Sequence, residues 1–183
     1  YTPSELRNLA DIAHNAGMKV HMDGARFANA LVTLDCTPAE MSWRAGVDIL
    51  CFGATKNGAY ACEAVLFFDP AMAEDFAYRR KRAGQLGCKS RYTAAQWLAY
   101  LDPAVWQANA RHANDCAQII AEAAAPLLTA PCETNQIFLN LGDVRIAKLR
   151  AQGFEFYDWG AAGSGEARFV TSWQTRYEDA QNL

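Results

Sequence analysis

The chain has 183 residues, a formal net charge of −3, and 51% hydrophobic against 20% charged residues, near the balance of a folded globular protein. That charge argues against a basic nucleic-acid binder, and no apolar run approaches the roughly 18–20 residues of a membrane span. With 12 glycines and 6 prolines, the chain is neither collagen-like nor of low complexity.

In chain order, Thr2-Pro3-Ser4-Glu5 is a capping box with proline at the first helical position. Leu6, Leu9, Ala10, Ala13 and Ala16 follow at helical spacing, and Gly17 is a natural stop. Lys19 to Met22 reads as a short strand ending at Asp23-Gly24. Thr37-Pro38-Ala39-Glu40 repeats the capping grammar and predicts a second short helix closed by Gly46. Asp48 to Gly53 and Glu63 to Phe68 are strands, separated by polar Thr55-Lys56-Asn57-Gly58. Helix alternating with strand predicts a parallel sheet with crossovers, whose ligands bind at the carboxyl ends of the strands.

From Pro70 to about Ala125 the pattern is helical, split by the cap and first-turn proline Asp102-Pro103. Val105, Ala108, His112, Cys116, Ile119 and Ala123 mark one face of the second part. Gln136 to Leu141 alternates as a strand, Val144 to Ala151 is a helix, Phe154 to Trp159 and Glu166 to Thr171 are strands, and the last residues are helical. This second half predicts a small α+β domain with an antiparallel sheet. The expected division is 1–95 for the first domain and 96–183 for the second.

The six cysteines, Cys36, Cys51, Cys62, Cys88, Cys116 and Cys132, form no C-x-x-C pair, so zinc-ribbon and thioredoxin-type readings have no support. A chain of this size buries a core without disulfides. The expectation is reduced thiols in a cytoplasmic protein. The N-terminus has neither signal-peptide features nor an initiator methionine, so the chain is expected to begin partway through a longer protein.

Three features carry chemistry. Lys56 stands between two apolar strands, flanked by Gly53 and Gly58. It reads either as a solvated loop lysine or as an amine in a partly desolvated pocket, able to form a Schiff base. His21-Met22-Asp23-Gly24-Ala25-Arg26 reads as an Asp-Gly turn or as a carboxylate held at a strand end. A metal reading of His21-x-Asp23 lacks a third ligand. Arg168, alternating with Phe169 on a strand, reads as a surface arginine or as a guanidinium fork for a carboxylate.

Together these residues resemble the threonine aldolase and β-eliminating lyase family of fold type I pyridoxal phosphate enzymes. His21 to Arg26 resembles the family's H-x-D-G-A-R block. Phe52 to Gly58 is similar to the lysine block of the bacterial low-specificity L-threonine aldolases. Arg79-Arg80-Lys81-Arg82-Ala83-Gly84-Gln85 and Arg168 to Trp173 follow in the expected order.

The resemblance implies an α/β chain holding the later part of the fold type I large domain plus a small α+β C-terminal domain. It implies that Lys56 carries the cofactor, pyridoxal 5′-phosphate, and that Asp23 pairs with its pyridine nitrogen. Arg26 would lie by the cofactor's phenolic oxygen or the substrate carboxylate, and Arg168 would bind that carboxylate. Lys81 and Arg91 would help neutralise the phosphate, across a subunit interface. The implied reaction is retro-aldol cleavage of L-threonine or L-allo-threonine to glycine and an aldehyde. The base that takes the β-hydroxyl proton has no clear candidate: His21 and His112 are chemically able, and His21 is expected to orient Asp23 or pack beneath the site. The family's glycine-containing phosphate loop and ring-stacking residue belong to a portion ahead of Tyr1. The implied assembly is a homotetramer with shared sites, with an amino acid as partner and neither nucleic acid nor membrane. The alternatives are another fold type I lyase, acting by β-elimination or transamination, and a non-catalytic scaffold.

Overall fold

The computed structural model describes residues 1–183, which form two compact units, Tyr1–Gln107 and Ala108–Leu183. In the first, α1 spans Pro3–Asn15 and opens on the expected capping box. Thr2 Oγ1 accepts the Glu5 amide at 3.3 Å, and the Glu5 carboxylate accepts the Thr2 amide at 2.7 Å. Each thereby satisfies a donor that the helix itself leaves without a partner. β1 is His21–Gly24, α2 is Phe27–Leu34, β2 is Ile49–Gly53 and β3 is Glu63–Phe67. Two shorter helices follow, α3 at Phe76–Arg82 and α4 at Arg91–Tyr100, and α5 runs from Pro103 to Ala123.

Two expectations need correction here. The helix between the first two strands is α2, which buries Phe27, Ala28 and Leu31. The capping box at Thr37 does form, with the Thr37 amide 2.9 Å from the Glu40 carboxylate and the Glu40 amide 3.3 Å from Thr37 Oγ1. It opens only turns and the 3₁₀ turn Trp43–Ala45. Arg26 stands at the N-cap of α2 with no side-chain cap bond, so the sequence carries no start signal for this helix. β1 and β2 pair in parallel as expected, but β2 and β3 are antiparallel. The connection from Gly53 to Glu63 is too short for a crossover, since parallel neighbours need roughly a dozen or more residues between them.

The second unit holds the rest of α5 and β4 at Gln136–Asn140, α6 at Gly142–Ala151, β5 at Tyr157–Trp159, β6 at Glu166–Val170 and α7 at Tyr177–Asn182. Its sheet has the order β4-β6-β5, antiparallel throughout. Strict alternation gives it two unlike faces. Ile137, Leu139, Ala167 and Phe169 face a core completed by Cys116, Ala117, Ile120 and Ala121 of α5. The buried stripe of α5 is Ala110, Ala113, Cys116, Ala117 and Ile120, which shares Cys116 with the expected face; Ile119 of that face also packs on the core, while its Val105, Ala108 and Ala123 are exposed. Both stripes are rich in alanine, so helical spacing alone does not choose between them. No helix is long and apolar enough to cross a membrane, and none of the six cysteines is in a disulfide.

Asp48, the residue before β2, ties α1 to the entry of β1. Its carboxylate accepts from the Val20 amide at 2.8 Å and lies 2.8 Å from His14 Nε2 and 3.2 Å from Lys19 Nζ. Burial works to raise its pKa, but the Val20, His14 and Lys19 bonds outweigh it and hold the pKa at about 2. A depressed folded-state pKa means the contribution is complete above the ordinary carboxylate value of 3.8 and is lost as pH falls towards 2. Asp48→Ala is expected to cost about 1–3 kcal/mol of stability near neutral pH. Denaturant melts of both proteins should show that gap closing between pH 4 and about 2.

Candidate active site

Because β1 and β2 are parallel, both leave the sheet at the same edge. Asp23 lies across from Cys51, and Gly24 from Phe52. The exposed Asp23 carboxylate accepts from the Ala25 amide at 3.0 Å. This local bond shapes the turn into Arg26 and restrains the carboxylate. A Cβ on Gly24 would lie 2.5 Å from the Cys51 carbonyl oxygen and 2.6 Å from Leu50 Cδ1. One on Gly53 would lie 2.7 Å from the Glu63 carboxylate and 3.1 Å from Ala25 Cα. Glycine at both positions is what lets the strand ends close up, leaving a low floor at this edge.

Beyond that floor the chain makes the 3₁₀ turn Thr55–Asn57. Ala54 and Asn57 point inward and are buried, while Lys56 between them is exposed. Lys56 and Thr55 are both exposed, so these residues by themselves do not enclose the lysine in the partly desolvated pocket that one of the two readings expected. Asn57 Nδ2 donates to Tyr100 Oη at 2.8 Å and to the Trp106 carbonyl at 2.9 Å. On the far side of the lysine turn, Gln96 Oε1 accepts the Tyr60 amide at 2.9 Å, and Thr55 Oγ1 accepts the Cys62 amide at 3.0 Å. The Phe52 and Trp97 rings are 5.1 Å apart. α4 therefore supplies Gln96, Trp97 and Tyr100 as a clamp on the lysine turn. The sequence reading missed these residues. Their only signal was spacing, since positions three and four apart share a helix face.

Charge at this edge is mixed. The Cys51 thiol is pushed above its ordinary pKa by burial first, then by the Asp23 and Glu63 carboxylates. Both acids thus act on the same sheet face, with the Lys56 amine on the turn beyond. His21 Nε2 lies 3.2 Å from Cys51 Sγ, so it meets the thiol rather than Asp23. Arg26 is half-buried at the start of α2. Lys81 is exposed in the last turn of α3, beside Arg79, Arg80 and Arg82. Arg91 is exposed at the start of α4, with its guanidinium 4.8 Å from the Tyr92 ring centroid. Neither Lys81 nor Arg91 is hydrogen-bonded to Asp23 or Lys56.

In the second unit Arg168 occupies the sheet face opposite Phe169, as alternation predicts. Its guanidinium carbon lies 5.1 Å from the Tyr157 ring centroid and 4.9 Å from that of Trp159. Its Nε is buried and has no hydrogen-bond partner. His112 is engaged elsewhere in this unit: its Nε2 is 2.6 Å from the Thr175 carbonyl, and its ring meets Tyr177 edge-on at 4.7 Å.

The donor set at the β1–β2 edge suits a pyridine ring bearing a carbonyl. Asp23 could offer a carboxylate to a protonated ring nitrogen and Lys56 an amine to the carbonyl carbon, with the glycines leaving room beneath. The architecture is that of a fold type I pyridoxal phosphate enzyme: the solved structure of Leishmania major threonine aldolase superposes with a TM-score of 0.87 at 26% identity, covering 100% of this chain and 54% of that one. A family model described as "Beta-eliminating lyase" matches residues 1–143, and the chain belongs to the β-eliminating lyase family. It is 48% identical to the low specificity L-threonine aldolase of Pseudomonas aeruginosa and 46% identical to that of a Pseudomonas species. Each match covers 100% of this chain and 54% of the relative, so the chain spans about half the length of the curated relatives it matches.

Two substitutions test this geometry. Gly24→Ala must push β1 from β2 against backbone, and is expected to destabilise the protein by about 1–3 kcal/mol, the usual cost of overpacking. Asn57→Ala leaves Tyr100 Oη and the Trp106 carbonyl without their partner, at a similar cost. Shifts in urea midpoint measure both, and wild-type midpoints would show that neither contact holds the edge together.

Proposed function

We propose that this chain is part of a pyridoxal phosphate-dependent aldehyde-lyase that cleaves L-threonine and L-allo-threonine to glycine and an aldehyde. The observation that carries the reading is the placement of Asp23 and Lys56 at one edge of a parallel strand pair, in a chain 48% identical to a low specificity L-threonine aldolase. Lys56 would hold the cofactor through its amine, Asp23 would hold the pyridine nitrogen in its protonated form, and Arg26 would lie beside the ring. Lys81 and Arg91 are cations for the phosphate. When bound, the cofactor supplies the electron sink for the pair released as the Cα–Cβ bond breaks.

The chain's own residues then orient and hold. Asp23 is restrained by the Ala25 amide, so its charge stands ready without reorganisation. The α4 clamp keeps the Lys56 backbone still while its flexible side chain moves. Arg168 is assigned to the substrate carboxylate, where two parallel N–H bonds fix a plane that an ammonium cannot. We read the enzyme as cytoplasmic and as a homotetramer with shared sites. The solvent-facing Tyr78, Tyr92 and Leu98 on α3 and α4 support the latter, since a subunit interface would cover them.

A second reading, β-elimination, draws support from the family model's description. One assay on the full-length protein separates them: acetaldehyde and glycine from threonine, against pyruvate and ammonia from serine. Borohydride reduction of the holoenzyme followed by peptide mapping should place the pyridoxyl group on Lys56, and label on another lysine removes the assignment. Asp23→Ala should lower kcat by on the order of a hundredfold or more, and near-normal cleavage would remove Asp23 from its role.

A further inference from the structure

The sheet of the second unit leaves Arg168 in an unusual setting. A half-buried guanidinium ordinarily finds a carboxylate or carbonyl, because desolvation without compensation is costly. Arg168 takes part in none of the molecule's ion pairs, and its buried Nε is without a hydrogen bond. What holds it is aromatic. Tyr157 is its direct cross-strand neighbour on β5, and Trp159 lies two residues further along the same strand face. The Trp159 ring in turn leans on Phe138 at 5.3 Å, and Phe138 is the cross-strand neighbour of Arg168 on β4. The guanidinium therefore has rings at 5.1 and 4.9 Å, within the distance at which a cation is attracted to a ring face.

We propose that Tyr157 and Trp159 are positioning residues for ligand binding: they hold the Arg168 guanidinium so that it meets an incoming carboxylate in a fixed orientation. The proposal rests on the reading of Arg168 as the carboxylate ligand. The physical advantage is that rings attract the cation without supplying a competing anion. A carboxylate in their place would neutralise Arg168 and have to be displaced by the ligand. Aromatic faces also limit rotamer freedom, so less entropy is lost when the two parallel N–H bonds form. Tyr157 and Trp159 are themselves 68% and 45% exposed, so neither is a core residue whose loss would endanger folding.

The test uses the full-length holoenzyme with glycine as the probe, since glycine carries the carboxylate and has no side chain. Tyr157→Leu and Trp159→Leu are each expected to raise the glycine Kd and the threonine KM by about three- to tenfold, the scale of a partly desolvated cation–π contact. The kcat, Tm and bound cofactor should stay near wild type. Tyr157→Phe and Trp159→Phe keep a ring and should restore affinity to within about twofold. Side-chain NMR gives a readout independent of activity: the Arg168 Nε–H resonance should sit upfield under the rings, and return towards the free-arginine position in the leucine variants. Glycine affinity unchanged in the leucine variants but lost in Arg168→Ala would overturn the positioning role and leave the carboxylate role intact. Affinity unchanged in Arg168→Ala would overturn both. Lowered Tm with unchanged Kd in the leucine variants would show that the rings serve only the fold.

Discussion

The buried amide of Asn57 is the contact on which the first unit's site depends. A buried amide must spend its donors or carry a desolvation cost of about 1–3 kcal/mol. Asn57 directs Nδ2 to Tyr100 Oη and to the Trp106 carbonyl. One side chain thus anchors the lysine turn to the end of α4 and the start of α5. Lys56, its immediate neighbour, gains a backbone that is held while its side chain stays free. The Gln96 acceptor and the Trp97 ring restrain the flanking chain from the same helix.

The parallel register of β1 and β2 does the corresponding work for Asp23. Two strands that run the same way deliver both chain exits to one edge, and the glycines at those exits let the edge close. Had the pair been antiparallel, Asp23 and the lysine turn would lie at opposite ends of the sheet. β3 returns antiparallel on the other side of β2 and brings Glu63 opposite Gly53. A second carboxylate thereby joins Asp23 on the sheet face that carries Cys51.

The second unit answers a different problem with the same alternation. Its inner sheet face is aliphatic and packs on α5, and the outer face gathers Phe138, Tyr157 and Trp159 around one arginine. A cation on such a face is held without being neutralised. That property suits a group whose partner arrives from solution.

Much of this was legible in the residues themselves. The capping box of α1, the Asp-Pro start of α5, the four longer strands and the alternation placing Arg168 opposite Phe169 all follow from local rules that tertiary structure did not override. The motifs around Asp23 and Lys56 pointed to the family because spacing along the chain preserves chemistry. What remained hidden depended on partners distant in sequence. α2 lacks a cap residue, so only the burial of Phe27, Ala28 and Leu31 reveals it as the helix after β1. Periodicity could not choose the buried stripe of α5, because alanine lies on both stripes and only packing against the sheet decides. The direction of β3 is an exception: the short connection from Gly53 to Glu63 sets it, and that length is legible in the sequence. The exposure of Lys56, the anchoring of Asn57 by Tyr100 and the rings around Arg168 are decided by tertiary structure alone. Each follows from which segments folding brings together, and chain order records none of them.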